Sequence, residues 1–551
     1  MSTSTEPAVI HGRAGAQNPG EEWWRSAVIY QIYPRSFADQ NGDGIGDLPG
    51  ITARLDALQE LGVDALWLSP FYVSPQRDGG YDVADYCDVD PLFGTIADFD
   101  ELLAAAHARG MRLIVDIVPN HSSVEHPWFR EALAAPSGSA ARARYIFREG
   151  RGIDGNEPPN NWQSCFGGPA WTRLTEPDGR PGQWYLHLFD SSQPDFDWTK
   201  EEVRTEFRRI LRFWLDRGVD GFRIDVASSM AKADGLPDFD PLVGEDYAPY
   251  TGQPGVHEIF RDWRRLLDEY PGERVFVAEA WVKPLHRRAD WVRPDELHQA
   301  FNDLFNEWDA PTLQHAIDST IAVFSSVGAP ASWVASNHDS IRQATQFSLT
   351  GPQRPGGIGP SSTGVPRYDD CLPRARALAL LTLALPGSAY IYQGEELGLP
   401  EVTELPDAAR QDPTFFRTGG EQYGRDGCRV PIPWEADAPG YGFGPNAAAW
   451  LPQPPIWARL ARDRQNRDQG STLTLYRQAI ALRRAQGLGS GTLSWLPGLP
   501  PEVLAFQNGD TRVYINMGTD PVLLPAGSVL LASSTLHDNT LAPDTAVWMH
   551  A

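Results

Sequence analysis

Short apolar runs alternate with longer amphipathic stretches through most of the chain. The runs are Val28–Tyr33, Ala65–Leu68, Leu113–Val118, Gly221–Ile224, Val275–Ala278, Trp333–Ser336 and Tyr390–Tyr392. They favour β-branched and aromatic residues and are too short for helices, so they read as strands buried on both faces. Between them lie stretches such as Ile51–Leu61, Asp98–Arg109 and Lys200–Arg217, where apolar residues return at helical spacing. Strands alternating with helices predict βαβ units and a parallel sheet. An eighth run, Gln299–Phe305, carries a weaker pattern. With it the α/β units close into a (β/α)₈ barrel of the TIM type, whose chemistry sits at the C-terminal ends of the strands.

The alternation breaks in three places. From His121 to Ser192 the chain is rich in Gly, Pro, Asn and Trp. A βα loop usually takes ~2–6 residues, so this stretch predicts a subdomain inserted after strand 3, over the barrel mouth. Gly351–Pro366 and Ala436–Pro455 are Gly/Pro-rich and read as loops on the same face. Beyond Leu488 the pattern changes to short strands with turns, Val503–Gln507, Arg512–Met517 and Ser528–Ala532, which predict a small C-terminal β-sandwich. The expected organisation is a disordered segment over 1–20, a barrel over 21–120 and 193–488, an inserted domain over 121–192, and a C-terminal β domain over 489–551.

Composition narrows the partners more than the fold. The chain has 47 Lys and Arg against 72 Asp and Glu, a net charge of −25. Such a polyanion is repelled by phosphate backbones and acidic lipid, so a small neutral substrate is expected, with no nucleic acid and no membrane partner. Cys87, Cys165, Cys371 and Cys428 show neither C-x-x-C nor metal-ligand spacing, which argues against a disulfide framework. No apolar h-region precedes Gly20, and the most apolar stretch, Ala375–Pro386, is interrupted by Arg376 and too short to span a bilayer. A soluble cytoplasmic protein, monomer or homodimer, is the expectation.

Three strand ends carry carboxylates. Asp225 closes Gly221-Phe222-Arg223-Ile224-Asp225, where the period of two puts Arg223 and Asp225 on one strand face. The guanidinium is expected to lower the pKa of Asp225. Glu279 follows Val275-Phe276-Val277-Ala278, whose apolar character is expected to raise a carboxyl pKa. Asp339 ends Ser336-Asn337-His338-Asp339. One such carboxylate is more often a helix N-cap. Several at neighbouring strand ends point to glycosidic cleavage, where two carboxyl groups ~5–5.5 Å apart supply a nucleophile and an acid/base.

These segments resemble, in order, the motifs of glycoside hydrolase family thirteen, the α-amylase family, and within it the α-glucosidase and oligo-1,6-glucosidase branch. The matching segments are Asp116-Ile117-Val118-Pro119-Asn120-His121, Gln193-Pro194-Asp195, Gly221 to Asp225, Glu279-Ala280 and Asn337-His338-Asp339. The likeness runs from about Trp24 into the C-terminal domain. It implies a retaining hydrolase in which Asp225 forms the glucosyl intermediate, Glu279 is acid/base and Asp339 stabilises the transition state. It further implies that His121, His338 and Arg223 serve the same glucose. Asp78-Gly79-Gly80-Tyr81 resembles the segment whose Asp holds the terminal hydroxyls while the Tyr stacks on the ring, and Arg425 resembles that Asp's partner. Phe166 and Gln193 resemble the remaining pocket wall.

Asp39, Asn41, Asp43, the Ile45 carbonyl and Asp47 offer oxygens at alternate positions, like the first half of an EF-hand, but the twelfth position is Gly50 rather than Glu. In this branch the loop resembles a calcium site; a plain Asp/Gly turn is the alternative reading. Any ion would be structural, and no cofactor is expected for the chemistry. Val226, after the nucleophile, resembles enzymes that cut α-1,6 links, whereas Phe166–Trp171 and Gly424–Arg429 look more like α-1,4-glucosidases. The expectation is an exo-acting α-1,4-glucosidase on maltose and short malto-oligosaccharides. An oligo-1,6-glucosidase of the isomaltose type and a sucrose-acting, glucosyl-transferring isomerase stay open as alternatives. Non-catalytic transporter relatives have a membrane helix and lack the carboxylates, the reverse of this chain.

Overall fold

The computed structural model describes residues 22–244, 247–302, 307–350 and 357–551. The expected disordered segment over 1–20 and the first part of the loop read at Gly351–Pro366 lie outside the described residues.

Eight parallel strands form the central sheet. They are β1 (Val28–Ile32), β2 (Ala65–Leu68), β3 (Arg112–Ile117), β4 (Gly221–Ile224), β5 (Val275–Ala278), β6 (Gln299–Ala300), β7 (Ser332–Val334) and β8 (Ser388–Tyr392). Around the sheet the order is β6, β5, β4, β3, β2, β1, β8, β7, so each strand pairs with its sequence neighbour and β1 pairs with β8. Among the described residues, the seam between β6 and β7 is drawn together by one parallel bridge, Asn302 to Trp333. This is the TIM-type barrel. Apart from the half-buried Arg112 that opens β3, its strands are buried, as a parallel sheet covered by helices requires.

The helices follow from ordinary local chemistry. The helix Ile96–Ala108 begins at a reciprocal capping box between Thr95 and Asp98. In Glu201–Arg217, Val203, Phe207, Ile210, Leu211, Trp214 and Leu215 face the barrel, and Gly218 ends the helix at φ 101°, a conformation that costs glycine little. The stretch read as one helix over Ile51–Leu61 is two, Leu48–Ala53 and Leu55–Leu61, because Arg54 leaves helical geometry between them.

Only Gln299–Ala300 of the weak eighth run is a strand, and residues 303–306 lie outside the described residues. Its polarity has a use. Gln299 is buried, donating from Nε2 to the Trp24 carbonyl and Ser388 Oγ and accepting from the Tyr390 hydroxyl. A satisfied polar group in the wall breaks the apolar pattern without a large energetic cost.

Between β3 and β4 the chain builds a three-stranded antiparallel sheet from Phe147–Arg148, Trp171–Thr175 and Pro181–Leu186. Its small core of Ile146, Trp162, Ala170, Trp171, Leu186 and Leu188 also takes in Leu236 from the segment after β4. Trp162 Nε1 donates to the Pro237 carbonyl at 2.8 Å, so the insert is fastened to the β4 loop. At the C-terminus five antiparallel strands, Leu493–Trp495, Val503–Asn508, Thr511–Asn516, Val529–Ala532 and Thr545–His550, form a second sheet. One face covers the helix Tyr368–Ala384, with Trp548 Nε1 donating to the Leu380 carbonyl; the other carries a cluster shared with the ribbon Val522–Leu523 and Thr540–Leu541. No disulfide is formed by the four cysteines. Among the described residues no helix is long and apolar enough to cross a membrane.

Candidate active site

The loops after the barrel strands bring one continuous set of side chains together. At its centre lies Arg223, on β4 and 1% exposed. Its Nη1 donates to Asp225 Oδ1 at 2.7 Å and to both oxygens of Asp116, on β3, at 2.9 and 3.1 Å. Its Nη2 lies 2.5 Å from Glu279 Oε2 at the end of β5. One guanidinium therefore holds the carboxylates of Asp225 and Glu279 on its two nitrogens. The planar fork of arginine suits this better than lysine could.

Glu279 also accepts from the Val226 backbone N–H at 3.0 Å and from Trp281 Nε1 at 3.1 Å. The apolar run that precedes it lies in the barrel wall, and the carboxylate itself meets N–H donors. Val226 sits at φ 42°, a left-handed conformation rare for a β-branched residue. Strain of that kind, of order 1–3 kcal/mol, persists only where its surroundings hold it, and here the N–H is committed to Glu279.

The direction of the Asp225 pKa corrects the expectation from sequence. Burial raises it first; Arg223 pulls it down, but Glu279, Asp116 and Asp339 push it up again, and the net is well above an ordinary aspartate. Asp116, wholly buried, is pushed up to about 7 by burial against the pull of Arg223. One cation beside several carboxylates does not offset their burial, so Asp116 and Asp225 are both shifted upward and titrate together rather than singly.

A second arginine organises the other side. Arg425 Nη2 donates to Asp78 Oδ1 at 2.6 Å and Nη1 to Asp339 Oδ1 at 3.0 Å, while its guanidinium covers the Phe166 ring at 5.1 Å. Its Nε is spent on Asp412. Arg429 Nη2 adds a bond to Asp339 Oδ1 at 2.6 Å. Burial opposes charge on Asp339, but His338, Arg425 and Arg429 outweigh it and hold the carboxyl well below its usual range. Asp78 is pushed up by burial, with Arg425 and Arg429 opposing.

The remaining expected residues join the same network. Gln193 Nε2 donates to Asp78 Oδ2 at 3.0 Å and lies 3.2 Å from His121 Nε2. Tyr81 stacks on His338 at 5.2 Å between ring centres and donates its hydroxyl to Asp116 Oδ2 at 3.1 Å. His338 Nε2 is 3.0 Å from Asp339 Oδ2. Burial lowers the pKa of both His121 and His338 to about 4, so both rings are neutral. Every catalytic and substrate residue expected from sequence is thus in one connected group.

Sequence reasoning missed several members. Asp116 was read as part of a motif without a role, yet it meets Arg223, Tyr81 and Trp67 Nε1. Arg429, four residues past Arg425 and near it in the same short turn, is a second cation on Asp339; that spacing was the available signal. Asp412, buried against Arg425, had none.

The Asp39–Asp47 loop follows β1 and closes on its own amides. Asp39 accepts from Gly42 and Gly44, Asn41 from Asp43, Asp43 from Ile45, and Asp47 from Gln40, Asn41 and Gly50. Among the described residues no three of His, Cys, Asp and Glu gather as a metal site. Asp39 and Asp47 are nonetheless buried, neither makes an ion pair with a basic side chain among the described residues, and burial, with a smaller push from Asp39, raises the pKa of Asp47. An acidic donor set of that chemistry fits a hard cation.

Comparison with known proteins bears on this geometry. The family model for the α-amylase catalytic domain matches residues 31–491. A probable α-glucosidase of Rhizobium meliloti is 38% identical over 506 residues, 87% of this chain and 86% of that protein. An oligo-1,6-glucosidase of Parageobacillus thermoglucosidasius is 36% identical, with 84% of each chain covered. Among solved structures, the α-glucosyl transfer enzyme XgtA superimposes with a TM-score of 0.83 at 35% identity, over 97% of this chain and 99% of that one.

Proposed function

The chain belongs to the α-amylase family of glycoside hydrolases, and from that premise we propose that it is a retaining, exo-acting α-glucosidase releasing glucose from maltose and short malto-oligosaccharides. The observation that carries the reading is the shared guanidinium of Arg223, which sets Asp225 and Glu279 beside each other at adjacent strand ends.

In this account Asp225 attacks the anomeric carbon while Glu279 gives its proton to the departing glycosidic oxygen. The carbon–oxygen bond breaks and a β-glucosyl ester on Asp225 remains. Glu279, now a carboxylate, takes a proton from water; the water oxygen attacks the same carbon and Asp225 leaves. The reaction needs Asp225 ionised and Glu279 protonated; burial and the neighbouring acids work against charge on Asp225, and Arg223 is the group that favours it. Asp339, held ionised by two arginines, is placed to stabilise positive charge developing on the sugar ring. The bridge from Arg425 to Asp78 and Asp339 supports a blind pocket for one terminal glucose, with Tyr81, His121, Phe166, Gln193 and His338 as its wall.

Calcium is proposed at the Asp39–Asp47 loop, bound by Asp39, Asn41, Asp43, the Ile45 carbonyl and Asp47. It would offset the buried pair Asp39 and Asp47 and order the loop; no chemical step uses it.

A second reading rests on Val226. Its side chain follows the nucleophile and resembles α-1,6-acting enzymes, and the relative from Parageobacillus thermoglucosidasius bears that name. The likeness to a glucosyl transfer enzyme keeps transfer to a second sugar as a further alternative. A pocket difference of methyl size shifts selectivity by only ~1–3 kcal/mol, about 10–200-fold, so the linkage is decided by rates. Initial rates of glucose release from maltose and isomaltose test it: faster maltose cleavage is expected. Faster isomaltose cleavage overturns the α-1,4 assignment, and one glucose rather than two per maltose consumed, with the other in longer saccharides, overturns hydrolysis.

A further inference from the structure

His121 lies at the end of β3, 1% exposed, and its neutral ring can carry its proton on either nitrogen. The neighbours of the ring leave no choice. Lys232 sits in the segment after β4, its side chain 3% exposed, and its ammonium meets three acceptors. They are Asn120 Oδ1 at 2.7 Å, the Ser229 carbonyl at 2.6 Å and Asp195 Oδ2 at 2.7 Å. An ammonium only donates, so the atom of Asn120 that faces it must be the oxygen. The Asn120 amide nitrogen is then the atom 3.1 Å from His121 Nδ1. An amide NH₂ also only donates, so Nδ1 must accept. On the far side, His121 Nε2 lies 3.2 Å from the Tyr81 carbonyl, which can only accept. Both ends of the ring agree.

We propose that Lys232 and Asn120 are positioning residues that fix the tautomer of His121, keeping its proton on Nε2, where it serves the Tyr81 carbonyl in the pocket wall. The proposal rests on the reading of His121 as a residue that faces substrate. Its consequence lies at Gln193, whose orientation is also fixed: Oε1 accepts from the Asp190 N–H at 2.9 Å, so Nε2 faces the 3.2 Å gap to His121 Nε2. With the proton on Nε2, the ring donates to the Tyr81 carbonyl and accepts nothing from Gln193, whose second amide hydrogen is left for a sugar hydroxyl oxygen. With the proton on Nδ1, His121 Nε2 would accept from Gln193 and the pair would close on itself. Lys232 thus decides, through one amide, whether this part of the pocket is open to a ligand. A similar arrangement stands at the second histidine, where Gln31 Nε2 lies 2.7 Å from His338 Nδ1.

Asn120→Asp is the test. The change is isosteric and keeps an acceptor for Lys232, but a carboxylate beside Nδ1 accepts, so the ring proton moves to Nδ1. The charges facing the ring are Lys232 and Asp195, with Asp78 beyond Gln193. A new carboxylate there raises the ring's pKa, and the doubly protonated ring regains its Nε2 proton in acid. The first readout is the ¹⁵N spectrum of histidine-labelled, ligand-free protein, with the His121 signal identified by its loss in His121→Gln. Wild type is expected to show a neutral ring protonated at Nε2, and Asn120→Asp a ring protonated at Nδ1. The second is kcat/KM on maltose, expected to fall about 10–100-fold near neutral pH, the cost of one misdirected buried hydrogen bond. That gap should narrow as the pH falls, which a merely structural defect would not produce.

A wild-type ring protonated at Nδ1 overturns the proposal, whether or not the variant folds. So does an inverted ring with unchanged kcat/KM. A wild-type ring protonated at Nε2 in a protein without glucosidase activity supports the tautomer assignment while removing the functional reading.

Discussion

Asp225 and Glu279 hang on two nitrogens of one guanidinium, so Asp225→Asn exchanges one atom within an intact frame. Turnover in that variant is expected to fall by about 10⁴-fold or more while its circular dichroism stays that of wild type. Retained turnover would remove Asp225 as nucleophile. Arg425 answers a different question. Its guanidinium is the meeting point of Asp78, Asp339 and Asp412, and Arg425→Met leaves buried Asp78 and Asp412 and half-buried Asp339 short of a cation. Breaking a buried pair by removing one partner costs about 3–5 kcal/mol, so both a lower melting temperature and loss of glucose release are expected. A variant as stable as wild type would mean that solvent reaches these acids.

The Asp39–Asp47 loop is the element whose stability the account ties to an ion. Chelation by EDTA is expected to lower the melting temperature, with added calcium restoring it, and to change activity little at low temperature. A melting curve indifferent to both would leave the loop as a turn held by its own amides. This loop also marks how far sequence could go. Its alternating oxygens were legible as spacing, but whether they converge depends on backbone turns that spacing does not encode. The barrel was legible because β1–β5, β7 and β8 are buried on both faces and leave continuous apolar runs. The strand β6 was faint because Gln299 and Asn302 bring polar side chains into the wall, satisfied by partners distant in sequence. The site was legible where a motif keeps its residues adjacent, as in Gly221–Asp225. It was illegible where partners such as Asp412 or Lys232 meet only in the fold. The pKa of Asp225 was misjudged for a related reason. Arg223 was visible two residues away, while the approach of Asp116 and Glu279 and the burial itself were not.

On the scale of the whole molecule, buried acids set the response to pH. Asp116 and Glu401 are pushed up to about 7 and Glu395 to about 8, in each case by burial first. Unfolding returns these groups to ordinary carboxylate values, so between about pH 6.5 and 8 the folded chain binds more protons than the unfolded one. Stability therefore falls as the pH rises through that window. The buried histidines His121, His126 and His338, lowered to about 4, oppose this trend only near the lower edge of the window, where the imidazoles of the unfolded chain still bind protons. A lower melting temperature at pH 8.5 than at pH 6.5 is expected; a flat profile would mean these carboxyls are ionised in the native state. The central claim, a retaining glucosidase built on Asp225 and Glu279, is tested most directly by following maltose cleavage with proton NMR from the first turnovers. The account predicts that α-glucose from the non-reducing unit appears first and mutarotates later. An early excess of β-glucose over the share that the maltose reducing ends already carry would contradict it.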